Sequence, residues 1–248
     1  MSRHHAFRLL LFAFLLVPVG TASGFSLVNG DVGWDGPGLG HANLSFSVQG
    51  NTPDIKGERQ LVAAAIQEWA NHADITFTYT TTSGLSNSLD FYFGVTAEPG
   101  GPFDGPGGTL AVGYFPDDVN SNPLAGDIYM DEDETWTTNQ TPAGACAYPS
   151  PGSCDLFFVL LHEIGHALGL DHPIGDDNNA GFAAVMNPFF NGTFGFGNYA
   201  TLQADDIAGI QSIYGSTPGS VIIPEPGTAV LLGGGLVWLA LRRRARFG

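Results

Sequence analysis

His162-Glu163-Ile164-Gly165-His166-Ala167-Leu168-Gly169-Leu170-Asp171-His172 is the stretch on which the reading of this chain turns. It has the form H-E-x-x-H-x-x-G-x-x-H. On a helix, His162 and His166 lie one turn apart and project from one face. Gly169 adopts a left-handed conformation at little cost, which suits the end of that helix. The chain then turns back and offers His172. Three imidazole nitrogens form a ligand set for zinc that leaves the fourth tetrahedral position open, as in catalytic rather than structural sites. Glu163 follows the first histidine and faces the same cleft, placed to take a proton from water and pass it to a leaving amine. A bare H-E-x-x-H arises by chance, but a third histidine at fixed spacing, with glycine between, makes chance a poor explanation. The chain holds 7 His, and His4 and His5 lie in an N-terminal leader. Three of the other five are in this stretch.

The two ends read as addresses. Residues 1–23 carry Arg3 and Arg8, an apolar run over 9–19, and then Gly20-Thr21-Ala22-Ser23. That is the layout of a secretory signal peptide cleaved after Ala22 or Ser23, with an uncleaved anchor as the competing reading. Residues 217–248 contain Pro224-Glu225-Pro226, an apolar run over 229–241, and Arg242, Arg243, Arg244 and Arg246. This resembles the PEP-CTERM sorting tail of Gram-negative bacteria. The resemblance implies export, transient anchoring in the inner membrane, processing by an exosortase-type partner, and release to the cell surface or extracellular matrix. The basic end fits the positive-inside rule, and a plain C-terminal anchor fits the same residues.

Between these ends, residues 25–216 are enough for one domain with a full core. Lys56 and Arg59 are its only bases, against 23 acids, a balance of −21. Such a surface repels nucleic acid and favours divalent cations, although acidity also suits any soluble exported protein. Cys146 and Cys154 lie in one loop before the active-site helix. In an exported protein they are expected to form a disulfide rather than a metal site.

The pattern of the domain predicts strands over 43–48, 75–79, 89–95, 109–115 and 127–131. Helical spacing over 53–72 involves Ile55, Leu61, Val62, Ala65, Ile66 and Trp69, with Thr52 or Asp54 as cap. Further helices are expected over 155–168 and 202–214, with loop over 173–200. The order predicts an α+β domain with a mostly parallel, twisted five-stranded sheet and three helices.

The extended histidine motif resembles that of the metzincins, which also place a methionine turn beneath the zinc. Val185-Met186-Asn187-Pro188 stands where that turn belongs, with Met186 as the apolar floor. Within the metzincins the chain resembles a matrixin, the matrix-metalloproteinase-like family. Three segments carry this: Phe103-Asp104-Gly105-Pro106-Gly107-Gly108-Thr109-Leu110-Ala111, the run from Gly126 to Thr137, and the run from Leu202 to Gly215. The similarity spans about residues 43–215.

The resemblance implies a structural calcium held by Asp104, the carbonyls of Gly105, Gly107 and Thr109, and the carboxylates of Asp131 and Glu134. Oxygen donors on a glycine-rich loop suit that ion, and an acidic solvated turn is the alternative. The positions matching the family's second, structural zinc are Ala97, Pro99, Val112 and Tyr129, none a good ligand, so that zinc is expected to be absent. Asp176-Asp177-Asn178-Asn179 lengthens the stretch before Met186, as a solvated loop or a further calcium site. No long pro-domain is expected after the leader, and no cysteine stands before Cys146, so the family's cysteine latch is not expected. Asp205 is expected either to hold the methionine turn or to cap its helix.

The reading that follows is an exported zinc endopeptidase acting on extracellular proteins or peptides. Strand 109–115 would be the edge on which substrate lies, and residues 186–190 would wall an apolar pocket past the scissile bond. A non-catalytic matrix-binding protein on the same fold, and a zinc amidase of related geometry, are the rivals. The intact Glu163 disfavours the first and the calcium-loop likeness the second.

Overall fold

The computed structural model describes residues 24–28, 33–34, 40–138, 153–173, 184–188 and 201–224. The proposed leader, most of the sorting tail, Cys146, the Asp176–Asn179 insertion and the far end of the pocket wall lie outside these residues. Among the described residues, twelve strands and three helices follow in chain order. They are β1 (Ser26–Leu27), β2 (Ala42–Gln49), α1 (Glu58–Ala70), β3 (Ile75–Tyr79), β4 (Ser88–Val95), β5 (Ala97–Glu98), β6 (Gly101–Pro102), β7 (Ala111–Gly113), β8 (Asp127–Asp131), β9 (Trp136–Thr137), β10 (Cys154–Asp155), α2 (Leu156–Ala167), β11 (Leu170–Asp171), α3 (Ala204–Tyr214) and β12 (Ser220–Ile222).

The main sheet has six strands in the order β12-β3-β2-β4-β8-β7. Neighbours pair in parallel except β7, which runs antiparallel to β8 at one edge. Alternation explains its two faces. Leu44, Phe46, Ile75, Phe77, Leu89, Phe91, Ile128 and Met130 point to one side and are buried, as period-two patterning requires. The intervening residues, such as Ser45, Thr76, Asp90 and Asp127, point to the other. The fold is thus the expected α+β domain with a mostly parallel sheet, one strand wider than expected. The extra strand is β12, beyond the sequence-stated boundary at residue 216. Its apolar run is only three residues long, too short for alternation to mark a strand.

Helix α1 lays Val62, Ala65, Ile66 and Trp69 on the sheet at helical spacing. It begins later than the pattern over 53–72 suggested. Gly57 is the N-cap, with φ 95, a conformation that excludes helix before it. Neither Thr52 nor Asp54 caps. The Thr52 hydroxyl accepts from the Ile55 amide at 3.4 Å, and the Asp54 carboxylate accepts from the Trp136 amide at 3.0 Å. Strand 109–115 is likewise shorter, as β7. Its ladder continues on both sides, since Asp131 N donates to Leu110 O at 3.1 Å and Tyr114 N to Asp127 O at 2.9 Å.

Helix α2 is central, with every residue buried, its polar side chains being only His162, Glu163 and His166. Asp155 caps it by accepting from Phe157 N at 3.1 Å. Its carbonyls are taken up by aromatic donors. Trp69 Nε1 donates to Leu161 O at 3.1 Å, Trp34 Nε1 to Ala167 O at 2.8 Å, and Tyr214 Oη to Leu168 O at 2.8 Å. The last two satisfy carbonyls that a helix end leaves without intrahelical partners. Gly169, with φ 104, turns the chain out of the helix.

Candidate metal centre and cleft

Helix α2 brings His162 and His166 to one face, and the turn at Gly169 returns His172 to the same point. The three Nε2 atoms are 3.1, 3.2 and 3.2 Å apart. Two of the rings are placed from outside. His162 Nδ1 donates to Val185 O at 2.8 Å, and His166 Nδ1 to Leu170 O at 2.9 Å. A ring nitrogen facing a carbonyl must carry the proton, so the Nε2 lone pairs of these rings face inward. Nitrogens tetrahedrally bound to zinc at about 2.0–2.1 Å lie roughly 3.3–3.4 Å apart, so the triangle fits. Among the described residues this is the group of histidine, cysteine or acidic side chains whose ligand atoms converge on one point.

Electrostatics agree with a cation site. Burial, then the neighbouring rings His166 and His172, hold His162 well below the ordinary imidazole range. Burial and His172 lower His166 to about 4. Both rings are therefore neutral near pH 7, the form that ligates a metal. Glu163 is buried against β7. Desolvation raises its carboxyl to about 8, and a hydrogen bond from the Gly113 amide acts the other way. Gly113 permits this approach, since a Cβ there would meet Glu163 O at 2.7 Å.

A cleft of about 510 Å³ opens over the histidines and Glu163. Residues 108–113 form one wall, with Phe115 and Pro188 at its ends. The Phe115 ring meets His166 edge-on, with centroids 5.5 Å apart. Strand β7 is the sheet edge here, so one side of its backbone faces the cleft.

Met186 lies beneath the site, 2% exposed. Its packing depends on Gly165, where an added Cβ would meet Met186 Sδ at 2.2 Å and Trp69 Cζ2 at 3.0 Å. The sequence reading left Gly165 as an unassigned position. The available signal was glycine inside a helix, which costs about 1 kcal/mol against alanine and asks for a packing reason. The turn itself is held by Asp206, not Asp205. The Asp206 carboxylate accepts from Val185 N at 2.8 Å, Met186 N at 3.1 Å and Gln203 N at 2.8 Å. Asp205 accepts from Gly24 N at 2.9 Å instead. Neighbouring helix positions differ by about 100°, so only one of the two faces inward.

The acidic loop also folds as a unit. Thr109 N donates to Asp104 Oδ1 at 2.8 Å, and Gly107 N to Glu134 Oε1 at 2.6 Å. Gly105 and Gly107 have φ 82 and φ 84. Asp131 is fully buried, and its Oδ2 has no hydrogen-bond partner. Burial and then mutual repulsion with Asp104 and other acids raise both Asp131 and Glu134. A second acidic pair escaped the sequence reading. Asp90 and Asp127 are register partners on β4 and β8. Asp90 accepts from Ser47 Oγ and from Gly84 N, each at 2.6 Å. Asp127 Oδ1 is buried without a partner, and burial followed by repulsion from Asp90 raises this carboxyl to about 7. Only the strand register shows that the two acids are neighbours. Tyr129, at one of the positions matched to a second zinc, stacks on Tyr92 at 4.7 Å and meets Tyr114 edge-on at 6.1 Å. Cys154 is buried at the start of α2.

Comparison with known proteins points to the same family. The matrixin profile matches residues 38–215. An interstitial collagenase of Equus caballus is 33% identical over 193 residues, 77% of this chain and 34% of that protein. Matrix metalloproteinase-25 of Mus musculus is 34% identical over 158 residues, 63% and 23% of the two chains. Matrix metalloproteinase-16 of Homo sapiens is 33% identical over 184 residues, 71% and 27%. The chain thus spans at most about a third of the length of these relatives. With three converging imidazoles, a buried glutamate beside them and a methionine floor on one matched segment, the chain belongs to the matrixin family.

Proposed function

We propose that the chain is a zinc-dependent endopeptidase that hydrolyses peptide bonds of extracellular proteins. The observation that carries this is the convergence of His162, His166 and His172 Nε2 beside Glu163 in a cleft edged by β7. Zinc at those nitrogens supplies Lewis acidity toward a peptide carbonyl and toward water. Glu163 takes the proton of the attacking water and delivers it to the leaving amine. The Gly113 amide fixes the carboxylate that does so. The free side of β7 offers backbone donors and acceptors to an extended peptide, which adds as a further strand. Val185 O and Leu170 O hold the imidazoles in the ligating tautomer.

Calcium is proposed at Asp104, Gly105, Gly107, Thr109, Asp131 and Glu134. The unpartnered Asp131 oxygen and the repulsion among these acids support it. The Asp90–Asp127 pair offers a second position on the same grounds. Export by the leader, a Cys146–Cys154 disulfide, tail anchoring and exosortase processing remain readings of the sequence. So does location at the surface of a Gram-negative cell.

Glu163→Gln is the direct test. It should keep its metal and lose about 10²–10⁴ in kcat on casein or gelatin. Undiminished cleavage by the variant would refute the general-base role. Zinc in both forms with cleavage in neither would favour a matrix-binding role on the same fold.

A further inference from the structure

The large apolar side chains that stand exposed among the described residues are Leu85, Ile222 and Ile223, at 41%, 48% and 46%. Ile222 and Ile223 stand at one edge of the sheet, and Leu85 lies against the two strands next to that edge. Ile222 is the register partner of Thr78, so both side chains leave the same face. Val221 points the other way and packs against the core. Leu85 lies with Ser45, Thr76 and Thr78 in a groove of about 370 Å³ on that outer face.

We infer that this edge is a membrane-contact surface, on which the domain rests against a lipid bilayer with β12 nearest the lipid. The inference builds on the anchored reading of the tail. Six residue steps separate Ile223 from Ala229, where the apolar run begins, a reach of about 20 Å at most. The exit point is fixed rather than slack. Gly219 N donates to Ala70 O at 2.7 Å and Ala73 O at 3.0 Å, and a Cβ at Gly219 would meet Ile75 O at 2.0 Å. The acidic remainder of the domain is repelled by anionic lipid, so the face with exposed apolar side chains is the one that approaches. Strand β7 is five strand steps from β12, about 24 Å at the usual spacing. The cleft edge therefore lies away from the bilayer, toward proteins of the surrounding layer.

The test uses the full chain in phosphatidylethanolamine–phosphatidylglycerol vesicles that carry a diazirine lipid probe at headgroup depth. After illumination, labelled peptides are mapped by mass spectrometry. Label is expected on the peptides holding Leu85 and residues 219–224 and on the tail, and not on residues 107–115. A variant with Leu85→Ser, Ile222→Ser and Ile223→Ser should lose the edge label and keep the tail label. A labelled tail with an unlabelled edge, label spread equally onto residues 107–115, or edge label that survives the triple replacement would each overturn the inference while leaving anchoring intact. An unlabelled tail would overturn anchoring, and this inference with it.

Discussion

Gly165 and Asp206 show how much of the site rests on side chains that never touch substrate. Gly165 leaves the space that Met186 Sδ occupies. A Gly165→Val variant overfills that space and adds a β-branched residue to a helix. The expected loss is about 1–3 kcal/mol, read as a lower urea midpoint. Asp206 collects three backbone amides, so Asp206→Asn should cost about 1–3 kcal/mol and weaken zinc retention. Asp205→Asn should leave zinc retention unchanged, since its carboxylate faces Gly24. The Asp206 carboxyl is also a pH reporter. Burial raises it to about 6, against the pull of three amides and with Asp205 adding repulsion. A folded value above the unfolded one means stability that is fully present below about pH 4 and lost as pH rises through about 6. Wild type should therefore lose stability relative to Asp206→Asn across that window, by up to about 1.4 kcal/mol per pH unit. A difference that grows with pH instead would show that the amides outweigh burial.

The elements were legible where a pattern is long and local. Strands β3 and β8 were read at their observed bounds because alternation runs their whole length. Helix α2 was legible from its capping Asp155, its apolar run and Gly169. Boundaries set by one backbone angle or one distant partner were not. The start of α1 depends on Gly57 adopting φ 95, and Asp54, an obvious capping candidate, serves Trp136 from 82 positions away. The choice of Asp206 over Asp205 depends on helix phase against the methionine turn, whose position in space the sequence does not give. Strand β12 depends on a partner, β3, far back in the chain. Its seat is tested by Gly219→Val in the full chain. The backbone of Ile75 cannot yield to a side chain there, so Thr76–Thr78 and Ser220–Ile222 should lose amide exchange protection together. Unchanged protection would show that β12 is held otherwise.

At the scale of the whole molecule, the histidine spacing was sufficient to show which three imidazoles converge, because all three lie within eleven residues. The acidic sites were legible only in part. The glycine-rich loop with Asp131 and Glu134 was visible through family likeness, whereas Asp90 and Asp127 meet only through the sheet. Both clusters bury negative charge that a cation would neutralise. Calcium should therefore raise the midpoint of thermal unfolding, by about 2.7 kcal/mol of stabilisation at a hundredfold excess over its dissociation constant. Asp131→Asn should remove much of that response. A Tm indifferent to calcium and to chelator would dismiss the ion as a structural element.

The central claim is that His162, His166 and His172 hold zinc for chemistry in which Glu163 moves the proton. The most direct measurement is zinc content and casein cleavage, side by side, on the wild-type chain and Glu163→Gln. The account predicts about one zinc per chain in both, with cleavage in the wild type alone. Folded wild-type protein that takes up no zinc when zinc is supplied, or equal cleavage by both forms, would contradict it.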